Sequence, residues 1–405
     1  MYKFSEIEKL LKYKIHPLKE IEIVNINNAM GRFLAENIYA KIDIPPANNS
    51  AVDGYLFRHK TITSEPILKN FNVVQEIHAG EIFTKVASNV NVIKVSTGSH
   101  IPNGYNVVVM EEDFTVKNKT IKLKKKKDIF KWMNIRKKGE DIKAGRKVFS
   151  KGHYLREQDI GMLASLGLKK VNVIRKLRVG ILSNGNELVE AGKKKLSHQI
   201  YDSNRHMLYS LLKRNYTKVI DSGIVEDSYK KIKQKIIALK SKSDLIIVSG
   251  GASSGSKDYI VRIIKEEGTI NFWKVSIKPG RPFGLGILDG KIPILIVPGN
   301  PVACFVVFFI FGRKLLNLLF GKKYYSNDYY LVKSNFSMKK KVGRDEFLRG
   351  KTFVKDGKIY VDKFSKQGAG ILSSVVWGNG LIRLKSKDNH IKKDSYVEFY
   401  PFNSF

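Results

Sequence analysis

At 405 residues with 43% hydrophobic content, the chain is long enough for two to four domains with proper cores and too apolar for intrinsic disorder. Its 73 Lys and Arg against 37 Asp and Glu leave a formal charge of +36, a field that draws in anions of many kinds. No C2H2 spacing, aromatic RNA-recognition motif or arginine-rich recognition helix is present, which argues against a specific nucleic-acid reader.

In chain order, Met1-Tyr2-Lys3-Phe4-Ser5-Glu6 carries no apolar signal-peptide core, and a soluble cytoplasmic protein is expected. Residues 5–12 and 18–40 are helix-patterned, with Ile7, Leu10 and Leu11 on one face of the first segment. Ile44-Pro45-Pro46-Ala47-Asn48-Asn49-Ser50 breaks that periodicity. From about Val73 to Val148 the text changes to short alternating strands, among them Asn106–Met110 and Thr120–Leu123. This predicts a small β lobe, about 46–147, inserted into a helical framework that spans 1–170. The run Lys124–Lys127 reads as the solvated end of a hairpin, and helical text returns over Glu157–Leu168.

Residues 175–325 read as an α/β domain. Leu177–Leu182 is a strand ending in Ser183-Asn184-Gly185-Asn186-Glu187, and Asp227 opens a helix through Leu239 with Ile232, Ile236 and Leu239 on its buried face. Leu245–Val248 runs into Ser249-Gly250-Gly251-Ala252-Ser253-Ser254-Gly255-Ser256-Lys257-Asp258. Ile292–Val297 leads to Pro298-Gly299-Asn300-Pro301, with Asn300 as N-cap and Pro301 at the first helical position. Three strands whose carboxyl ends open into Gly, Ser and Asn turns describe a doubly wound sheet, which binds ligands at that edge. Glycines let backbone N–H groups approach an anion closely, and Asp258 at the rim suits a divalent cation shared with phosphate. An anionic ligand is therefore expected here.

The apolar run Val302–Phe311, closed by Arg313 and Lys314, is about half the ~20 residues of a membrane span and reads as a buried helix. Cys304, the only cysteine, excludes intrachain disulfides and multi-thiolate metal sites, fits a reducing compartment, and should be inert inside that helix. None of the eight histidines has zinc-ligand spacing. Residues 328–405 turn to short strands again and read as a separate β domain.

Four blocks in register resemble the molybdopterin molybdotransferase family, the MoeA-type enzymes related to the gephyrin E domain. They are Pro45–Tyr55; Thr97-Gly98 through Val107-Val108-Val109-Met110-Glu111; Asn134-Ile135-Arg136 with Gly139-Glu140-Asp141 and Gly145; and the whole α/β domain. The last includes Tyr201-Asp202-Ser203-Asn204-Arg205, the Gly250 loop, Phe272-Trp273-Lys274, Lys278-Pro279-Gly280-Arg281-Pro282-Phe283 and Pro298-Gly299-Asn300-Pro301. Residues 344–350 and 367–384 fit the family's last domain more loosely.

The resemblance implies insertion of molybdate into adenylylated molybdopterin, with Mg²⁺-assisted pyrophosphate cleavage and release of AMP, by an elongated homodimer. It implies catalytic roles for Asp53, Thr97, Asp141 and Glu187, with Asp53 and Asp141 reaching a neighbouring subunit's cleft. It implies ligand contacts from Gly250, Gly251, Ser253, Gly255, Lys274, Lys278, Arg281, Pro298 and Asn300, and from Arg349 with Ser373 or Ser374. Asp227 and Asp258 are the implied Mg²⁺ ligands, although an N-cap role would by itself account for Asp227. Contacts with the preceding adenylyltransferase or with recipient molybdoenzymes are further partners the resemblance allows; no membrane and no specific nucleic acid is expected. The family's S-T-G-D-E-L block reads Ser183-Asn184-Gly185-Asn186-Glu187-Leu188 here, which removes a carboxylate beside Glu187. Two other readings stay open on the residues alone: an adenylyltransferase using the α/β domain, and a non-catalytic cationic or RNA-binding scaffold.

Overall fold

The computed structural model describes residues 1–64, 70–81, 92–250, 259–322 and 329–403. Its organising element is the sheet of the central domain: β1 (Leu177–Asn184), β2 (Thr217–Val225), β3 (Leu245–Gly250), β4 (Gly268–Trp273), β5 (Gly284–Leu288) and β6 (Ile292–Val297). The strands lie in the order β2-β1-β3-β6-β5-β4. The first four in that order pair parallel, and β5 and β4 close the far edge antiparallel.

The sequences of β1 and β3 are apolar without alternation because helices cover both faces of the sheet. One face packs Leu182, Ile246, Val248, Ile294 and Ile296 against Ile232, Ile236 and Leu239 of α2 (Tyr229–Lys240) and Ile260, Ile263 and Ile264 of α3 (Tyr259–Glu267). The other sets Val179, Ile181, Ile247 and Leu295 against α1 (Ser203–Leu212) and α4 (Pro301–Leu319). The chain leaves β1 for β2 on one side and returns to β3 on the other. The order therefore reverses between β1 and β3, and the carboxyl ends at this switch point are Asn184 and Gly250.

Two details of this domain differ from expectation. The helix expected to open at Asp227 begins at Tyr229, with Ser228 in the cap position; Asp227 instead belongs to the loop that meets Asn186. The apolar helix also continues beyond Arg313 and Lys314 to Leu319 through a π-helical turn at Phe308–Gly312. Its 19 residues are long and apolar enough to cross a membrane, but the apolar window is 89% buried inside the protein. Lys314 is accommodated there because it pairs with Glu8 and lies 5.2 Å from the Phe4 ring centroid. The helix is thus a core helix, longer than the apolar run alone suggested.

The N-terminal region departs more. Residues 18–40, expected as helix, form short strands and a 3-10 turn. Ile21–Asn25 pairs antiparallel with Lys170–Ile174, and Ile38–Tyr39 with Lys147–Phe149. The helices of this framework are Phe4–Lys14 and Glu157–Ser165. Partners over a hundred residues away in sequence override the local 3.6-residue pattern, because they bury Leu34, Ile38 and Val173 in one small core. The helix Phe4–Lys14 places Phe4, Ile7 and Leu11 in the core around α4, together with Phe347 and Tyr400 of the C-terminal domain.

The inserted lobe is a six-stranded sheet running from Gly54–Phe57 to Thr120–Leu123. Its last hairpin turns at Asn118-Lys119 and ends at Leu123, so Lys124–Lys127 follows the end of that hairpin, with Lys124–Lys126 exposed as expected and Lys127 paired with Asp113. In the C-terminal domain, Asp345–Lys355, Lys358–Lys363, Tyr330–Ser334, Tyr396–Pro401 and Gly380–Leu384 close into a barrel, because the first also pairs with the last. Ile277–Lys278 of the central domain adds to it, parallel to Asp345–Glu346.

Candidate active site

At the switch point the backbone of β3 turns sharply. Gly250 has φ +92°, and a Cβ there would lie 2.1 Å from the carbonyl oxygen of Asn184, so only glycine fits between the two strands. The buried Asn184 side chain donates toward the carbonyls of Val225 and Glu226, both at 3.4 Å. It therefore secures the end of β2, which gives the Asn at this position a structural use. Asn186 and Asp227 clasp each other across the edge: the Asp227 N–H donates to Asn186 Oδ1 at 2.9 Å and the Asn186 N–H to Asp227 Oδ2 at 3.4 Å. Glu187 is exposed, and its carboxylate folds back over Gly185, where a Cβ would lie 2.6 Å from Glu187 Oε2. Glu187 and Asp227 thus belong to adjoining loops at the mouth of the sheet. Gly251, Ser253, Gly255 and Asp258 lie outside the described residues.

The loop after β6 completes this edge. Pro298 is buried, Gly299 and Asn300 are exposed, and Asn300 holds the cap position of α4 through its backbone carbonyl, which accepts the Cys304 N–H, while its side chain makes no capping bond. The anchor of the loop is a residue that spacing and composition did not single out. Asn204 Nδ2 donates to the Gly299 carbonyl at 2.7 Å and to Ser249 Oγ at 2.8 Å. Beside it, the buried Arg205 is held by Asp202, Asp221 and Glu190. The signal lay in Asp202-Ser203-Asn204, a helix start rich in capping residues: Asp202 accepts the Arg205 N–H and caps α1.

The cationic segment sits where the central and C-terminal domains join. Lys274 N–H donates to the Phe283 carbonyl at 3.0 Å and Val275 N–H to the Arg281 carbonyl at 2.9 Å, so the chain folds back and Lys274 lies near Arg281 along one tight loop. Lys274 is half-buried; Arg281 and Lys278 are exposed. Lys278 Nζ reaches Glu346 of the barrel at 3.3 Å. Deeper in that domain Arg349 is wholly enclosed. It donates to Ser374 Oγ at 2.9 Å and to the carbonyls of Phe347 and Gly368. Burial pushes its pKa down to about 10. The hydroxyl beside it is that of Ser374, while Ser373 stands exposed at the start of the next short helix.

In the inserted lobe, Asp53 and Thr97 meet although they are 44 positions apart. Asp53 Oδ1 accepts the Thr97 N–H at 2.6 Å and its hydroxyl at 2.9 Å. Those two bonds hold the Asp53 carboxyl below its ordinary value. Asp141 is exposed on a turn, its N–H bonded to the Ile44 carbonyl. Among the described residues, the hydrogen bonds of Asp53, Thr97 and Asp141 stay within the N-terminal region.

No group of three or more His, Cys, Asp and Glu able to cage a metal occurs among the described residues. Mg²⁺ bound with phosphate needs only one or two carboxylates, and Asp227 offers one whose contact with Asn186 is a long 3.4 Å.

Comparison with known proteins covers nearly the whole chain. Residues 3–167 match the family described as "MoeA N-terminal region (domain I and II)", residues 180–317 "Probable molybdopterin binding domain", and residues 332–402 "MoeA C-terminal region (domain IV)". The molybdopterin molybdenumtransferase of Haemophilus influenzae is 35% identical over 390 residues, covering 95% of this chain and 94% of that protein. The molybdopterin molybdenumtransferase of Staphylococcus epidermidis is 33% identical over 321 residues, 78% of this chain and 75% of that one. Among solved structures, the molybdopterin biosynthesis MoeA protein of Pyrococcus horikoshii superposes with a TM-score of 0.85 at 30% identity, over 99% of this chain and 100% of that one.

Proposed function

The chain belongs to the MoeA family of molybdopterin molybdenumtransferases and to molybdenum cofactor biosynthesis, and from that premise we propose that it inserts molybdate into adenylylated molybdopterin and releases AMP. The observation that carries this reading is the continuous likeness over N-terminal, central and C-terminal regions. An adenylyltransferase built on the central domain alone would leave residues 3–167 and 332–402 without a use.

In this reading the pyrophosphate of the substrate lies at the switch point, against the backbones of Gly250 and Gly299 and the start of α4, where a helix N-terminus favours an anion. Mg²⁺, when bound, would neutralise pyrophosphate charge, with Asp227 and Asp258 as the residues that hold it. Glu187 stands at the same mouth to orient water or take up a proton. Lys274, Lys278 and Arg281 attract the two anionic reactants. Arg349 ties the segment through Ser374, which leaves the exposed Ser373 to meet molybdate.

Asp53, Thr97 and Asp141 act in the cleft of a second copy in a homodimer. Two observations favour that arrangement. Among the described residues their contacts remain within the N-terminal region, and Ile21 and Ile23, two apart on one strand of the same region's framework, stand 58% and 68% exposed. The lone buried cysteine fits work in a reducing cytoplasm. The testing experiment is AMP release from adenylylated molybdopterin with Mg²⁺, with and without molybdate; release that ignores molybdate would refute the transferase step.

A further inference from the structure

Asn204 is a polar side chain that joins separate segments at the carboxyl edge of the sheet. It is only 7% exposed. One amide nitrogen holds Ser249 Oγ at 2.8 Å, the Gly299 carbonyl at 2.7 Å and, more weakly, the Pro298 carbonyl at 3.4 Å. Ser249 in turn lies beside the buried thiol of Cys304 in the first turn of α4. The last turn of β3, the loop after β6 and the start of α4 are therefore tied through a single donor group.

The position of that donor is itself fixed. Asp202 caps α1 by accepting the Arg205 N–H at 3.1 Å, and the Arg205 guanidinium is held by Asp202, Asp221 and Glu190. A residue two places into a capped helix with its neighbour so restrained has little freedom to turn. The consequence appears on the solvent side, where a Cβ at Gly299 would lie 3.7 Å from Gly250 Cα. A methyl group added at Gly299 would thus just touch Gly250. Asn204 Oδ1 is buried without a hydrogen-bond partner among the described residues. A buried unsatisfied acceptor is costly and uncommon, so the amide is oriented for its donor side even at the expense of its acceptor.

We propose that Asn204 is a positioning residue for the substrate's phosphates: it clamps the Pro298–Gly299 turn against the end of β3, so that the Gly250 and Gly299 backbones are already arranged before an anion arrives. The inference rests on the reading of this edge as the pyrophosphate site. An ordered cradle need not be assembled on binding, which strengthens ground-state affinity without touching the reacting bond.

The test compares wild type with Asn204→Ala and with Asn204→Asp, which keeps the size but replaces the donor by an acceptor. Kd for inorganic pyrophosphate with Mg²⁺ is measured by calorimetry, and KM and kcat for molybdate-dependent AMP release are measured well below each variant's melting temperature. Both variants are expected to raise Kd and KM by ~10- to 100-fold with kcat within about threefold of wild type. Wild-type affinity in a folded Asn204→Asp protein, or loss of kcat at unchanged KM, overturns the proposal. Should both variants fail to fold, Ser249→Ala removes one acceptor and spares the backbone contacts. It should raise Kd by ~3- to 5-fold, and an unchanged Kd there likewise overturns it. If wild type releases no AMP, the transferase reading fails by itself, while the pyrophosphate titration still decides the role of Asn204.

Discussion

Replacing Gly250 by alanine probes the switch point directly. The new Cβ would sit 2.1 Å from the Asn184 carbonyl oxygen, more than 1 Å inside an ordinary contact of ~3.3 Å. The backbone there has φ +92°, which costs a residue with a Cβ about 1–2 kcal/mol before any clash is counted. Because Asn184 and Gly250 are register partners at the ends of β1 and β3, relief requires the strands to part. Parting them strains the Asn184 contacts with Val225 and Glu226. Adding the lost ladder bond at about 1 kcal/mol gives a total near ~2–4 kcal/mol. For a domain of this size that is a fall of about 5–15 °C in Tm, measurable by circular dichroism or calorimetry. AMP release should fall by at least ~100-fold, since the cradle and its neighbours shift together. A Gly250→Ala protein with wild-type Tm and wild-type turnover would refute the argument that this backbone approach is required.

Three further outcomes are expected. Asp227→Asn and Asp258→Ala should each lower AMP release by ~100-fold or more and shift the Mg²⁺ titration to higher concentration, with Tm and dimer intact; wild-type Mg²⁺ dependence in both would remove the metal role. Asp53→Asn and Asp227→Asn, each inactive alone, should regain about a quarter of wild-type activity when mixed as exchanging dimers, because half the dimers then carry one intact composite cleft; no recovery despite demonstrated exchange would place both residues in one protomer's site. Burial alone would raise the Asp244 carboxyl, but hydrogen bonds from Arg175 and Arg178 outweigh it and hold the pKa at about 2 against an ordinary 3.8. Its stabilising contribution is therefore present above about pH 4 and lost as pH falls toward 2. Asp244→Asn should cost about 1–2 kcal/mol at pH 7 and close to nothing at pH 2 in urea titrations; an equal loss at both pH values would refute the ion-pair account.

The central domain was legible in the sequence because its signals are local. Unbroken apolar strands, the Gly250 turn and the Asn300-Pro301 helix start each act over a few residues, and the fold of that domain follows them. Residues 18–40 were not legible, because their ladders form with Lys147–Phe149 and Lys170–Ile174, and local periodicity carries no record of a partner so distant. The same distance hid the pairing of Asp53 with Thr97, whose carboxylate had an equally good local use in holding its own turn. Asp227 illustrates the converse: its place before a helix suggested a cap, whereas the loop opposite offered Asn186, and the reciprocal bonds to that residue took its place. Asn204 stood in the sequence only within the family-like block Tyr201–Arg205. Its reach to Ser249 and Gly299 depends on the packing of α1 beside the ends of two strands, a tertiary fact.

The most direct measurement of the central claim is the rate of AMP release from adenylylated molybdopterin by the purified protein, with Mg²⁺, as molybdate is titrated. Release that rises with molybdate and saturates, accompanied by stoichiometric molybdenum in the pterin product, is the predicted result. AMP release independent of molybdate, or none from a folded protein with Mg²⁺ and both substrates present, would contradict it.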